Sequence, residues 1–441
     1  MPSSLAINFI WILAAAFLVM FLQAGLAMVE TGLCRAKNSA HTMAMGFMIY
    51  PLCGLAFWIY GFAVGWSSWP LGAVPPGWAA ALGLEPASFG AGAPARNYLF
   101  FASDSPGVSS FFFLMLVFLA ASASIPLGAM AERWNWKNFL LYGLWAALPY
   151  CLFANWIWGG GWLAQAGTNW KLGHGSVDFA GAGAVHAMGG MAALAGTMCL
   201  GPRIGKYQNG RPMPLPGHHV PMVIIGTLIM SFGWFGFVSS SVLGGTDIHL
   251  GTVVINTALS GGAGALTAML TLMVKRIKPD PTMCCSGMLA GLVAITAGCA
   301  FVDTWAAVLI GAIAGVIAVY SVFFLESLKI DDPVGVISVH GINGIWGVLA
   351  IGIFANGKYG AGWNGVKGNV TGLLKGDSSQ FLAQLLEAGA VAAFGFGMAY
   401  MWFKISDKIT PLRVNAEVEM HGLDIPEMGA KGYPDFVTRD Q

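Results

Sequence analysis

Residues 178–190, Asp178-FAGAGAVHAMGG, and residues 332–344, Asp332-PVGVISVHGING, read as two copies of one segment. Aligned without gaps, they share the Asp at 178 and 332, a Gly at 181 and 335, Val-His at 185–186 and 339–340, and a Gly at 190 and 344. Each copy opens a long apolar run. If those runs are the fifth and tenth of a series of membrane spans, an odd number of spans separates equivalent positions. The copies then enter from opposite faces, which is an inverted repeat.

The composition of the rest of the chain requires such a series. Charged residues make up 9% of the 441, with Lys+Arg 21, Asp+Glu 20 and a formal net charge of +1, while 56% are hydrophobic. Soluble globular chains carry about 25% charge. The deficit excludes a large water-exposed enzyme, a nucleic-acid binder and a disordered scaffold. Cys34, Cys53, Cys151, Cys199, Cys284, Cys285 and Cys299 lie in or beside apolar runs with no disulfide or CxxC spacing, so they read as small packing residues.

A helical span needs about 20 apolar residues. Eleven segments qualify: 7–28, 43–64, 109–130, 139–158, 179–200, 220–242, 253–274, 283–300, 305–325, 334–354 and 381–403. At this apolar content they must be helices, because every backbone polar group has to be satisfied internally. The expected fold is an all-α polytopic membrane protein with a five-plus-five inverted repeat (roughly 7–200 and 220–354) and an eleventh helix. The first positive residue is Arg35, so 7–28 reads as a retained span and not a signal peptide. With eleven spans, one side carries only Arg96, Lys171, Lys358, Lys367 and Lys375, and the other sixteen Lys and Arg lie opposite. The positive-inside rule then puts the amino terminus outside and the tail, 404–441, in the cytoplasm. Residues 1–403 form the membrane domain.

Eight residues at about 1.5 Å each place His186 and His340 roughly 12 Å below their Asp residues. One descends from outside and one rises from inside, so they meet near the middle of a core of about 30 Å. A lone membrane histidine reads as an inter-helix hydrogen bond. Two at matching positions of an inverted repeat read as a pathway. Asp332, before Pro333, is accounted for as an N-cap. Asp178 admits two readings, an N-cap or a charge that supports a cationic site.

Eight stretches together resemble the ammonium transporter (Amt/Mep/Rh) family. They are AMVETGLCRAKN at 27–38, GAMAER at 128–133, WGGG at 158–161, DFAGAGAVH at 178–186, GWFGF at 233–237, LAGLVAIT at 289–296, DDPVGVISVHG at 331–341 and GLDIPE at 422–427. The resemblance implies that His186 and His340 are twin pore histidines and that Asp178 supports ammonium recruitment. It implies that Trp158 and Ser241 belong to an outer cation site, and that Phe118 and Phe237 are stacked gate residues, Phe118 also facing the cation. It further implies a homotrimer in the plasma or inner membrane, with a PII-type signalling protein as cytoplasmic partner. Three features depart from the family pattern. Leu114 stands where many bacterial relatives have a second Phe, about eight extra residues separate Trp158 from Asp178, and Glu427-Met428-Gly429 replaces Glu-His-Gly.

On this reading ammonium is distinguished from potassium by its directional hydrogen bonds and its removable proton. Trp158 and Phe118 offer π faces to the cation, Ser241 an acceptor and Asp178 negative potential. The apolar passage beyond Phe118 and Phe237 costs any ion many kcal/mol, so ammonia crosses after losing a proton that the histidines relay. A neutral imidazole, the form an apolar setting favours, carries one donor and one acceptor nitrogen. No enzymatic activity, cofactor, metal or nucleic acid is expected. A metalloenzyme would need about three protein ligands, and mid-depth offers two His. An ammonium sensor would need a partner, since the tail holds no recognisable output domain. A neutral-gas channel like the Rh relatives would not need Trp158 and GWFGF.

Overall fold

The computed structural model describes residues 3–66, 105–247 and 249–434. Most of the expected 65–108 connection, with Arg96, and the last tail residues, with Arg439, lie outside them. The chain is an all-α multi-pass membrane protein. Among the described residues ten helices are long and apolar enough to span: α1 Ser3–Leu33, α2 Ala36–Trp66, α3 Pro106–Met130, α4 Trp136–Ile157, α5 Ala182–Leu200, α6 Val220–Ser240, α7 Leu250–Val274, α9 Thr304–Ser327, α10 Ile337–Phe354 and α11 Ser378–Ile409. The expected span at 283–300 is shorter, α8 Pro281–Ile295, followed by turns to residue 302. Helix α1 runs five residues beyond the expected 28, so Glu30 lies inside it.

Small residues set the helix crossings. A Cβ on Gly25 of α1 would lie 2.6 Å from the Gly226 carbonyl oxygen of α6, and one on Gly226 would lie 2.7 Å from that of Gly25. Only the absence of side chains lets the two backbones approach this closely. In the same way α5 and α10 cross where Gly190 faces Gly341, and a Cβ on Gly344 would lie 2.6 Å from the Ala182 oxygen. Later residues of α5 meet earlier residues of α10, so the two helices run antiparallel, as the copies of an inverted repeat must.

The same starting device precedes both helices. Gly181 (φ +100°) and Gly335 (φ +80°) occupy the left-handed region that a side chain disfavours. A π-helical turn follows each, Ala182–Ala187 and Ile337–Ile342. Such turns are rare and occur at functional sites. They carry His186 and His340.

At the end of the molecule that holds Asp332, a cluster of buried charged groups is paired. Glu132, the last residue but one of GAMAER, has φ +71°. That strained backbone is held by Arg35, by Arg203 (2.7 Å) and by Asn38 Nδ2 (3.0 Å). Arg203 also pairs with Asp331 at 2.9 Å. Burial alone would raise the Asp331 carboxyl, but the Arg203 hydrogen bonds and the Arg133 charge outweigh it and hold it at about 2. The tail closes over this end. Leu423 N–H donates to Asn38 Oδ1 (2.9 Å), His41 N–H to Asp424 Oδ1 (3.0 Å) and Trp136 N–H to Glu427 Oε2 (2.9 Å).

Candidate functional site

Five of the seven residues singled out in the sequence form one continuous aromatic column. Trp158, the C-cap that follows α4, meets Phe118 of α3 edge to face at 6.1 Å. Phe118 stacks on Phe237 of α6 at 4.2 Å and 16°. Phe237 lies 5.5 Å from the His186 ring. His186 Nδ1 and His340 Nδ1 are 3.1 Å apart, so helices from opposite ends bring their imidazoles into hydrogen-bond contact. All five side chains are buried.

The histidine contact has a chemical consequence. Two nitrogens at 3.1 Å share one hydrogen, so one ring donates through Nδ1 and the other accepts there. The outward-facing nitrogens then differ between the rings. His186 Nε2 is buried without a partner, and His340 lines a small chamber between α1, α6, α8 and α10. A proton that enters at one ring can leave from the other through the shared hydrogen.

Trp234 completes the site and was not singled out in the sequence. Its indole stacks on His186 at 4.8 Å and 11°, and its Nε1–H donates to the Thr296 hydroxyl at 3.0 Å. The signal was available, because Trp234 precedes Phe237 by three residues and shares its helix face. Leu114, one turn before Phe118, is fully buried.

Asp178 is an N-cap. Its carboxylate accepts from the backbone N–H groups of Gly181, Ala182, Gly183 and Ala184 at 2.8–3.0 Å. Its carbonyl oxygen accepts the Trp158 indole N–H at 2.7 Å. The residue therefore positions the column's first ring with its backbone while its side chain seals the start of α5. Ser241 lies at the end of α6, four residues after Phe237, and is mostly buried. The segment between Trp158 and Asp178 includes the short helix Ala166–Trp170 and packs on residues before and in α11: Asn364 Nδ2 donates to the Ser176 oxygen (2.8 Å), and Val177 N–H to Gln384 Oε1 (2.8 Å).

The sequence places Glu387 at the opening of the eleventh span, facing the bundle or the outer interface, and the structure buries it fully; Glu30 is a second buried carboxyl, which the sequence reading does not single out. Glu387 of α11 accepts from the Ser176 hydroxyl (2.5 Å) and Gln384 (3.2 Å) through Oε2, while its Oε1 has no partner. A Cβ on Gly183 would touch both that oxygen and Asp178 Oδ2. Neither oxygen of Glu30 has a partner. An acidic residue within an apolar helix was the available signal. Among the described residues, no group of three His, Cys, Asp or Glu side chains converges as a metal ion would require.

Comparison with known proteins gives one consistent result. The profile described as the Ammonium Transporter Family matches residues 10–433. The chain is 43% identical to the ammonium transporter Amt2 of Archaeoglobus fulgidus, covering 99% of this chain and 90% of that one. It is 32% identical to Amt1 of the same organism, over 95% and 97%. Among solved structures, one titled "Sensor Amt Protein" superimposes with a TM-score of 0.82 at 31% identity, covering 96% of this chain and 99% of that one. Saccharomyces cerevisiae Mep2 does so with 0.79 at 26%, covering 93% and 88%.

Proposed function

The chain belongs to the Ammonium Transporter Family, and from that premise we propose that it carries ammonium across the plasma or inner membrane by separating ammonia from its proton. Ammonium is held at an outer site by the π faces of Trp158 and Phe118 and the Ser241 hydroxyl. Asp178 supports it through the backbone it organises. Deprotonation follows at the Phe118–Phe237 stack. Ammonia crosses the apolar passage, and the proton moves over His186 and His340. Potassium has no proton to give up, so it meets the full desolvation cost of many kcal/mol.

The observation that carries this reading is the 3.1 Å contact between His186 and His340 behind a closed aromatic stack. Eleven spans are counted, α8 included, with the amino terminus and the Asp178 end outside. The membrane domain is 1–403, with repeats roughly 7–200 and 220–354, and 404–441 is the cytoplasmic tail. The working form is a homotrimer, and the docked tail offers a surface for a PII-type protein. Purified protein in liposomes on a solid-supported membrane tests the reading. It expects a transient current after an ammonium jump and none after a potassium jump. Equal responses to both cations, or none to either, would contradict it.

A second reading is favoured by the solved relative titled as a sensor, 31% identical. On that reading the protein binds ammonium and signals through its tail with little transport. Ammonium binding without current and without ammonia flux in a pH-dye assay separates the two. Flux without current marks a neutral-gas channel.

A further inference from the structure

Glu30 takes no part in the pathway described so far. It lies in α1 within the AMVETG stretch, fully buried, and neither carboxyl oxygen has a hydrogen-bond partner. The backbone N–H of Gly128 is the one donor that approaches it closely enough to favour its charged form, and the hydroxyl of the next residue, Thr31, is buried without a partner. No salt bridge joins Glu30 to a cation among the described residues. The Arg35 and Arg203 charges close by are already engaged by Glu132 and Asp331. The other charged or titratable groups that act on Glu30 are Asp332, before α10, and Cys34, just beyond α1. Neither neutralises it.

The position of the group gives this state a purpose. A Cβ on Gly128 would lie 3.1 Å from Glu30 Oε1 and 3.0 Å from the Val334 side chain, so that oxygen and Val334 flank the same point. Val334, Val29, Leu33 and His340 line the small chamber on the inner side of the histidine pair. Its free volume of about 10 Å³ is close to what one water molecule needs. The chamber thus has a titratable ring at one wall, and the Glu30 carboxyl, which does not itself line it, lies on the far side of the Gly128 position from Val334 of another wall.

We infer that Glu30 is the inner proton carrier of the transport cycle, a role that rests on the transport reading above. Glu30 rests as a carboxylic acid, the form that full burial without a paired cation favours. The acid gives its proton to ammonia leaving the pore, which releases ammonium and leaves a carboxylate. The imidazolium N–H of His340 then passes its proton, through one water in the chamber, to that carboxylate, which restores the acid and leaves a neutral imidazole. No oxidant or further reactant is needed.

The test uses full-length wild-type protein and the Glu30→Gln and Glu30→Asp variants in liposomes, with ammonium as the probe. Glu30→Gln should lower the ammonium-evoked current by at least about tenfold, and Glu30→Asp should recover part of it. Infrared difference spectra on adding ammonium should contain a carboxylic-acid carbonyl band in the wild type that Glu30→Gln lacks. Ammonium-induced tryptophan fluorescence should stay at the wild-type level in Glu30→Gln, which marks a folded protein with its outer site intact. If that variant does not fold, a shift of the same band in Glu30→Asp decides the question. Wild-type current in folded Glu30→Gln, or a spectrum unchanged by both substitutions, would overturn the proposal. Absence of current in the wild type would instead remove the transport reading, and the infrared result would then stand alone for Glu30.

Discussion

At the start of α5 four backbone N–H groups converge on the Asp178 carboxylate, and an indole holds the residue's carbonyl. At the start of α10 the Asp332 carboxylate accepts from Val334, Gly335 and Ile337, and its surroundings are salt bridges. Both starts use a left-handed glycine and a π-turn to carry a histidine to the same depth. They differ in what is built around that frame. The Asp178 start is backed by aromatic rings and the Asp332 start by paired charges. Each also has a buried Glu nearby, from a helix outside its own repeat: Glu387 from α11 and Glu30 from α1. The repeat therefore fixes where the two histidine rings meet. On the proposed transport reading, the divergent surroundings decide which end receives a cation and which releases it.

The sharpest contrast between the ends is in stability. Arg203→Ala leaves Glu132 and Asp331 buried with their main partner removed. A loss of about 3–5 kcal/mol is expected, read as thermal unfolding in detergent, whereas removing an exposed lysine such as Lys367 should change little. The same cluster gives the inner end an acid limit. Asp331 is held at about 2 against an ordinary carboxyl near 3.8. Its contribution, about 2 kcal/mol, is complete above the ordinary value and is lost as pH falls from there toward 2. An unfolding profile of Asp331→Asn should lack that acid-side slope.

Capping separates the ends by a smaller amount. Asp178→Asn and Asp332→Asn each leave one acceptor oxygen where two were used. Asp178→Asn should cost about 1 kcal/mol more, because it strands more N–H groups and does so under complete burial. Equal losses would mean that the two starts are energetically alike. The smallest change probes the outer end alone. Leu114→Phe adds an aromatic face one turn before Phe118 and should lower half-saturation for ammonium by a few-fold, about 1 kcal/mol or less. The gain is limited because Leu114 is already fully buried and its neighbours must yield.

Much of this arrangement was legible in the sequence for a physical reason. Apolar length sets spans, and the Asp-x7-His spacing sets depth, so the meeting of His186 and His340 followed from rise per residue. Phe118 and Phe237 followed from the family resemblance. Features that depend on local backbone detail did not follow. Neither π-turn has a composition signal. The left-handed Glu132 is visible only once Arg35, Arg203 and Asn38 surround it. Asp178 reads the same in sequence as a cap or as a charge, and only its four N–H partners identify the cap. Glu30 was placed beyond the end of the first span because hydropathy falls there, while the helix continues to Leu33.

The most direct test of the account replaces both His186 and His340 with Ala and records current from liposomes after jumps of ammonium and of potassium. With the relay removed, the account predicts that ammonium-evoked charge movement disappears while ammonium still binds at the outer site. An ammonium current in the double variant equal to wild type, with potassium still excluded, would contradict it.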